Sequence, residues 1–156
     1  MKTIVVAFLL IITLAISGVS AESLQPAAWQ AYGIAFQAPA GYTVEDDSEE
    51  GYIISTPTYF ITVQLLDGEG IQRSEIAQEL KNVATDDEVT QQSPTVDFEL
   101  PQFYGVFLRG NCESDQCLYS YLLTKEDTSG FYVSIVYTDP ADPLPETILK
   151  SFTLEE

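Results

Sequence analysis

From Tyr59 to Leu66 the chain alternates, with Tyr59, Ile61, Val63 and Leu65 on one face and Thr62 and Gln64 on the other. A period of two over that length predicts a half-buried antiparallel strand. Shorter runs at 32–37, 42–45 and 52–55 predict strands before it. Pro39-Ala40-Gly41 would turn the first two of these into a hairpin, and Pro57-Thr58 would link the third to 59–66. Residues 42–45, 52–55 and 59–66 then form a meander. The period next lengthens: Ile76, Leu80 and Val83 recur at helical spacing after Ser74, a residue suited to capping, so a helix is predicted through about Ala84.

The polar stretch 85–94 reads as loop, with a brief strand at Val89. Three longer strands follow, at 96–110 with a break at Pro101, at 118–124 and at 131–138. In the last, Phe131, Val133, Ile135 and Tyr137 alternate with Tyr132, Ser134 and Val136. Both faces carry bulk, which places this strand at the centre of a sheet with cover on each side. Pro145, suited to a first helical turn, opens a short helix to Lys150, and Ile148, Leu149 and Phe152 would dock on the core. Strands, helix, strands, helix is the order of an α+β domain: a single antiparallel β-sheet flanked by helices.

That domain is expected over 32–156, with 22–31 as a lead-in whose Trp29 packs back onto it. Residues 1–21 read as a signal peptide: Lys2, an apolar run from Ile4 to Ile16 broken only by Thr13, and small residues at Val19-Ser20-Ala21. The competing reading is an uncleaved anchor. It has only the 17 apolar-rich residues from Thr3 to Val19, against the roughly 20 of a comfortable span. With no Cys near the cleavage site, a lipoprotein is not expected. The protein is therefore expected to be periplasmic or secreted, with no stable membrane insertion once the leader is removed.

Charge narrows the partners. The chain carries 24 acidic side chains against six basic ones, for a net charge of −18. Such a surface repels phosphate backbones and anionic lipid, so nucleic acid is excluded as a natural partner. Most of these carboxylates read as solvated faces that keep the protein soluble. Histidine is absent, which removes Ser-His-Asp and Cys-His catalysis and His-ligated metals. What remains for catalysis is a carboxylate-dependent hydrolase of the glycosidase kind, and no carboxylate pair is singled out for it. A non-enzyme is expected.

Cys112 and Cys117 are the two cysteines. In an oxidising compartment an even count predicts a bridge, here at the base of a hairpin loop, and closing so short a loop contributes about 2 kcal/mol. A redox-active pair is the alternative, but the spacing is not C-x-x-C and no helix start lies nearby to lower a thiol pKa.

Two further clusters have a plain and a functional reading. In a meander the loops at 45–50 and 67–70 leave the same end of the sheet, gathering Asp46, Asp47, Glu49, Glu50, Asp67 and Glu69. An oxygen-rich, His-free cluster suits Ca2+ or another hard cation, although no EF-hand spacing is present; the plain reading is a solvated edge. Phe103, Tyr119, Tyr121 and Tyr132 fall on neighbouring strands. Exposed together they would bind a partner; the plain reading is core beneath the helices.

The segment YGIAFQAPAGYTVE (Tyr32 to Glu45) resembles the start of the PsbP-like family, which includes bacterial DcrB-type periplasmic proteins. There an apolar strand runs into Pro-x-Gly-aromatic and a second strand. The tail ILKSFTL (Ile148 to Leu154) is similar to that family's terminal helix and its Ser-Phe pair. The resemblance covers about residues 30–154, with Tyr42 where Trp is frequent. It implies a largely non-enzymatic protein acting as an extrinsic subunit, adaptor or immunity-type binder, and no catalytic residue carries over. The cysteine loop is not a feature of the family. The expected function is an exported, non-catalytic binding or accessory protein whose partner is another exported or envelope protein. Cofactors are expected to be none, with Ca2+ at the acidic edge as the alternative.

Overall fold

The computed structural model describes residues 23–66 and 71–155. The expected signal peptide lies outside them, as do Asp67 and Glu69. The meander is present as β3 (Thr43–Asp47), β4 (Gly51–Ser55) and β5 (Tyr59–Leu66). β6 (Val96–Glu99), β7 (Phe103–Cys112), β8 (Asp115–Thr124) and β9 (Gly130–Tyr137) complete an antiparallel sheet of seven strands, ordered β3-β4-β5-β9-β8-β7-β6. β9 is central, as its two bulky faces require. Pro101 does break the 96–110 run: the chain reverses there, and β6 pairs back on β7 from Val96↔Phe107 to Glu99↔Tyr104. The far end of the Phe98 ring occupies the space that a side chain on Gly105 would need.

The sheet is not single. A second, three-stranded sheet is ordered β1-β2-β10, from β1 (Leu24–Trp29), β2 (Ile34–Pro39) and β10 (Thr153–Leu154). The segment read as a lead-in is thus a full strand, paired with β2 from Leu24↔Pro39 to Trp29↔Ile34. Pro26 is tolerated because β1 is an edge strand, where a missing N–H need not break a ladder. The hairpin expected between 32–37 and 42–45 does not form. β2 has β1 on one side and β10 on the other, so at Gly41, in the left-handed region at φ +78°, the chain crosses to the larger sheet.

The small sheet and α2 (Leu144–Leu149) cover one face of the large one. The core between them holds Trp29, Ile34, Phe36, Ile61, Phe103, Leu118, Val133, Ile148 and Phe152, each fully or almost fully buried. Phe36 and Phe152 stack with centroids 4.5 Å apart, and the Gln37 N–H donates to Ser151 Oγ at 2.8 Å. The two short motifs that carry the family resemblance therefore meet in one contact.

α1 (Ile76–Asp86) packs across β7 and β8 on the opposite face. It buries Ile76, Leu80 and Ala84, while Val83 is only half-buried. Its entry turn is capped not by Ser74 but by a reciprocal pair in which the Glu75 carboxylate accepts from the Gln72 N–H at 2.8 Å. After the helix, Thr90 bridges to Asn111, which is the brief strand contact expected near Val89.

Candidate interaction surface

The cysteines lie where hairpin geometry demands. Cys112 pairs with Asp115 across a two-residue turn, and the Cys112–Cys117 disulfide closes with Cα atoms 5.8 Å apart. Glu113 takes the positive φ of 57° that so tight a turn requires. The bridge fastens the end of β7 and β8 furthest from Phe103.

The aromatic residues do not form an exposed patch. Tyr119, Tyr121 and Tyr132 are 6%, 2% and 5% exposed, roofed by α1, and Phe103 is fully buried. Phe103 also lies on the other face, in the core beneath the small sheet. The register sets this: Leu108 is opposite Tyr119, so Phe103, an odd number of positions away, must point the other way. Both the Tyr119 and the Tyr132 hydroxyl donate to Asp87 Oδ2 at 3.1 Å, just past the end of α1. Burial pushes the Tyr132 hydroxyl far above an ordinary tyrosine, and the neighbouring Tyr119 hydroxyl pushes the same way. Both stay protonated donors, a locking role and not a contact for a partner. The Tyr121 hydroxyl sits over Gly130 and, among the described residues, has no hydrogen-bond partner.

The acidic edge is real in topology. β4 runs antiparallel to both β3 and β5, so the 48–50 turn and the end of β5 do share one end of the sheet. Asp46 and Asp47 belong to the edge strand itself, where acidic side chains guard against pairing with another chain. A bulge at Glu45 sets Asp46 opposite Ile53. Among the described residues no group of three or more His, Cys, Asp or Glu converges as a metal site would require. Asp46, Asp47, Glu49 and Glu50 therefore do not by themselves form a cation site, and Asp67 and Glu69, the other two residues of that alternative reading, lie outside the described residues.

A different surface emerges from what α1 leaves bare. The helix roofs β7 and β8, and among the described residues nothing covers the same face of the sheet across β3, β4 and β5. On it stand Phe60, which is 45% exposed, and the half-buried Ile53, Thr62 and Val136. They are cross-strand neighbours, Ile53 opposite Thr62 and Phe60 opposite Val136. Phe60 was passed over in the sequence, although an apolar residue whose same-face neighbours Thr62 and Gln64 are polar was a signal that could have found it. At one end Thr56, Phe60, Val136 and Asp115 line a shallow groove. A second groove, between β1, β2 and Tyr42, is a seam whose polar groups bond internally, as where the Tyr42 hydroxyl donates to Pro26 O at 3.2 Å.

Four of the five described cations pair away from this face; the fifth, Lys81, is exposed on α1. Arg73 and Lys125 lie over the Tyr104 ring at 4.2 Å and 5.0 Å, and both pair with Glu99, at the β6–β7 side of the sheet. Arg109 and Lys150 each reach Glu146 of α2 at 2.9 Å, on the face covered by the small sheet. The hydrogen bond from Lys150, followed by that from Arg109, holds the Glu146 carboxyl below the usual range. β3, β4, β5, β8 and β9 contain no Lys or Arg.

The profile of a family described as dihydro-orotase-like matches residues 22–141 of the chain. No curated protein matches it in sequence. Among solved structures, the Ran-binding protein Mog1p of Saccharomyces cerevisiae superposes with a TM-score of 0.59 at 6% identity, over 85% of this chain and 96% of that one. A point mutant of Mog1 gives 0.56 at 7% identity over the same shares. A protein of Bacteroides thetaiotaomicron gives 0.50 at 8% identity, over 87% of this chain and 49% of its own. At such identities the likeness is one of fold: an α+β architecture of the Mog1 and PsbP-like type, mostly antiparallel sheet with two helices.

Proposed function

This chain belongs to the dihydro-orotase-like family, and we propose that it is an exported, non-catalytic binding protein that acts through protein–protein contacts in the periplasm or extracellular space. The observation that carries this is the uncovered half of the large sheet, where Phe60 stands exposed among Ile53, Thr62 and Val136. A sheet normally buries one face and solvates the other with polar side chains. Here the bare face keeps a large aromatic ring that is 45% exposed, a pattern that fits an interface. Its fold neighbour Mog1p is described as a Ran-binding protein, which is consistent with a binding role for this architecture. The leader-like start of the chain supports export.

The enzyme name in the family's description does not supply a mechanism for these residues. There is no histidine, and no carboxylate is buried among the described residues. A general acid needs a carboxyl whose environment raises its pKa, so a carboxylate-dependent hydrolase finds no support here. Among the described residues, no helix is long and apolar enough to cross a membrane.

Photo-crosslinking in the source cell tests the reading. Benzoylphenylalanine placed at Phe60 of the full-length chain should give a discrete protein adduct. The same residue at Val96, which is 46% exposed on the β6 edge, should give none. No adduct at position 60, or the same adduct at both, would remove the interface.

A further inference from the structure

We propose that the partner docks a basic polypeptide segment on the uncovered half-sheet, with an apolar side chain against Phe60 and cationic ones at its rim. This rests on the protein-binding reading and specifies the chemistry of the same surface. Carboxylates from separate parts of the fold frame the face. Glu45 accepts from Ser55 Oγ at 2.6 Å, and Asp46 stands opposite Ile53. Asp115, at the start of β8, lines the groove with Phe60 and Val136. Asp87 lies at the boundary with α1, where it holds the two tyrosine hydroxyls. Among the described residues none of these four carboxylates has an ion-pair partner: Arg73 and Lys125 pair with Glu99, Arg109 and Lys150 pair with Glu146, and Lys81, exposed on α1, pairs with none of the four.

That arrangement selects the occupant. A neutral or acidic segment laid over Phe60 would strip water from carboxylates that have no ion-pair partner and supply no opposite charge, which disfavours binding. A Lys- or Arg-bearing segment meets those charges as they lose water, and the one-signed field steers its approach. Apolar contact alone would give adhesion without discrimination. The acidic frame makes the face selective for basic partners and repels a second copy of this chain, whose net charge is −18.

The test is heteronuclear NMR of the protein expressed from the full-length chain, titrated with three synthetic peptides of equal length. They alternate Val with Lys, with Ser or with Glu. The Lys peptide should bind saturably, with shifts centred on Ile53, Phe60, Thr62, Ser134 and Val136. Its affinity should fall at least about tenfold between about 50 and 500 mM salt, and about tenfold again in Phe60→Ser. Val96→Ser should bind as the parent does. Equal binding of the Ser peptide at this face would overturn the basic chemistry while leaving the interface standing. Shifts centred elsewhere would overturn the surface itself. No binding by the Lys peptide up to about 1 mM would overturn the proposal outright, and the crosslink from position 60 would then decide separately whether any protein partner uses this face.

Discussion

Trp29→Ala should lower the unfolding free energy by about 3–5 kcal/mol, the range for deleting a large buried aromatic ring. Trp29 is fully buried. Its ring meets Tyr32 edge-on at 4.5 Å and Phe131 at 6.4 Å, and its Nε1–H donates to Ser48 O at 2.7 Å. One side chain therefore ties the small sheet to β9 at the centre of the large one, and to the turn that follows β3. Removing it opens a cavity between the sheets and frees a carbonyl on that turn. Against a typical stability of about 5–15 kcal/mol the loss is a large fraction. Urea denaturation should show a lower midpoint at an unchanged slope. A loss below about 1 kcal/mol would mean that β1 is a loose leader and not a docked strand.

Leu80→Ala should cost about 2–5 kcal/mol by the same cavity argument, applied to the opposite face. Leu80 is fully buried and belongs to the cluster of Val106, Leu108, Tyr119, Tyr121 and Tyr132. α1 is the roof of that cluster, and shrinking the side chain loosens its hold on β7 and β8. The two substitutions fall in different clusters on opposite sides of one sheet. Their effects should therefore add to within about 0.5 kcal/mol. Strong coupling between them, read from the double variant in urea, would show that the two layers are not independently packed.

Local patterning made much of this fold legible. The alternation at 59–66, the helical spacing of Ile76 and Leu80, the double-faced bulk of 131–137 and the Pro145 helix start each mark an element that is present. What the chain does not display locally is which strands become partners. β1 was obscured because Pro26 and two alanines dilute its strand character, and because its partner is chosen by sheet edges far along the chain. The turn at 39–41 is a good turn in sequence, yet it joins two different sheets, because β2 is already paired on both sides.

The candidate sites followed the same rule. The disulfide was legible because cysteine spacing is a local property. Phe103 was grouped with the tyrosines because faces were assigned without the hairpin register. Reading Glu113-Ser114 as a two-residue turn pairs Cys112 with Asp115 and puts Phe103 on the other side. The bare half-sheet could not be read from any strand alone. It exists because α1 settles on β7 and β8, a choice made by the fit of Leu80 and Ala84 against Val106 and Leu108. Phe60 itself was passed over, though an aromatic residue in a polar register was a signal for it.

One asymmetry underlies the proposed binding role: a face of the large sheet is roofed over half its width and, among the described residues, bare over the rest. Hydroxyl-radical footprinting of the purified protein and of the protein in its native setting measures it directly. Phe60 should oxidise rapidly in the purified protein and become protected in the native setting, while Tyr119, Tyr121 and Tyr132 react slowly in both. Tyrosines as reactive as Phe60, or a Phe60 equally reactive in both settings, would contradict it.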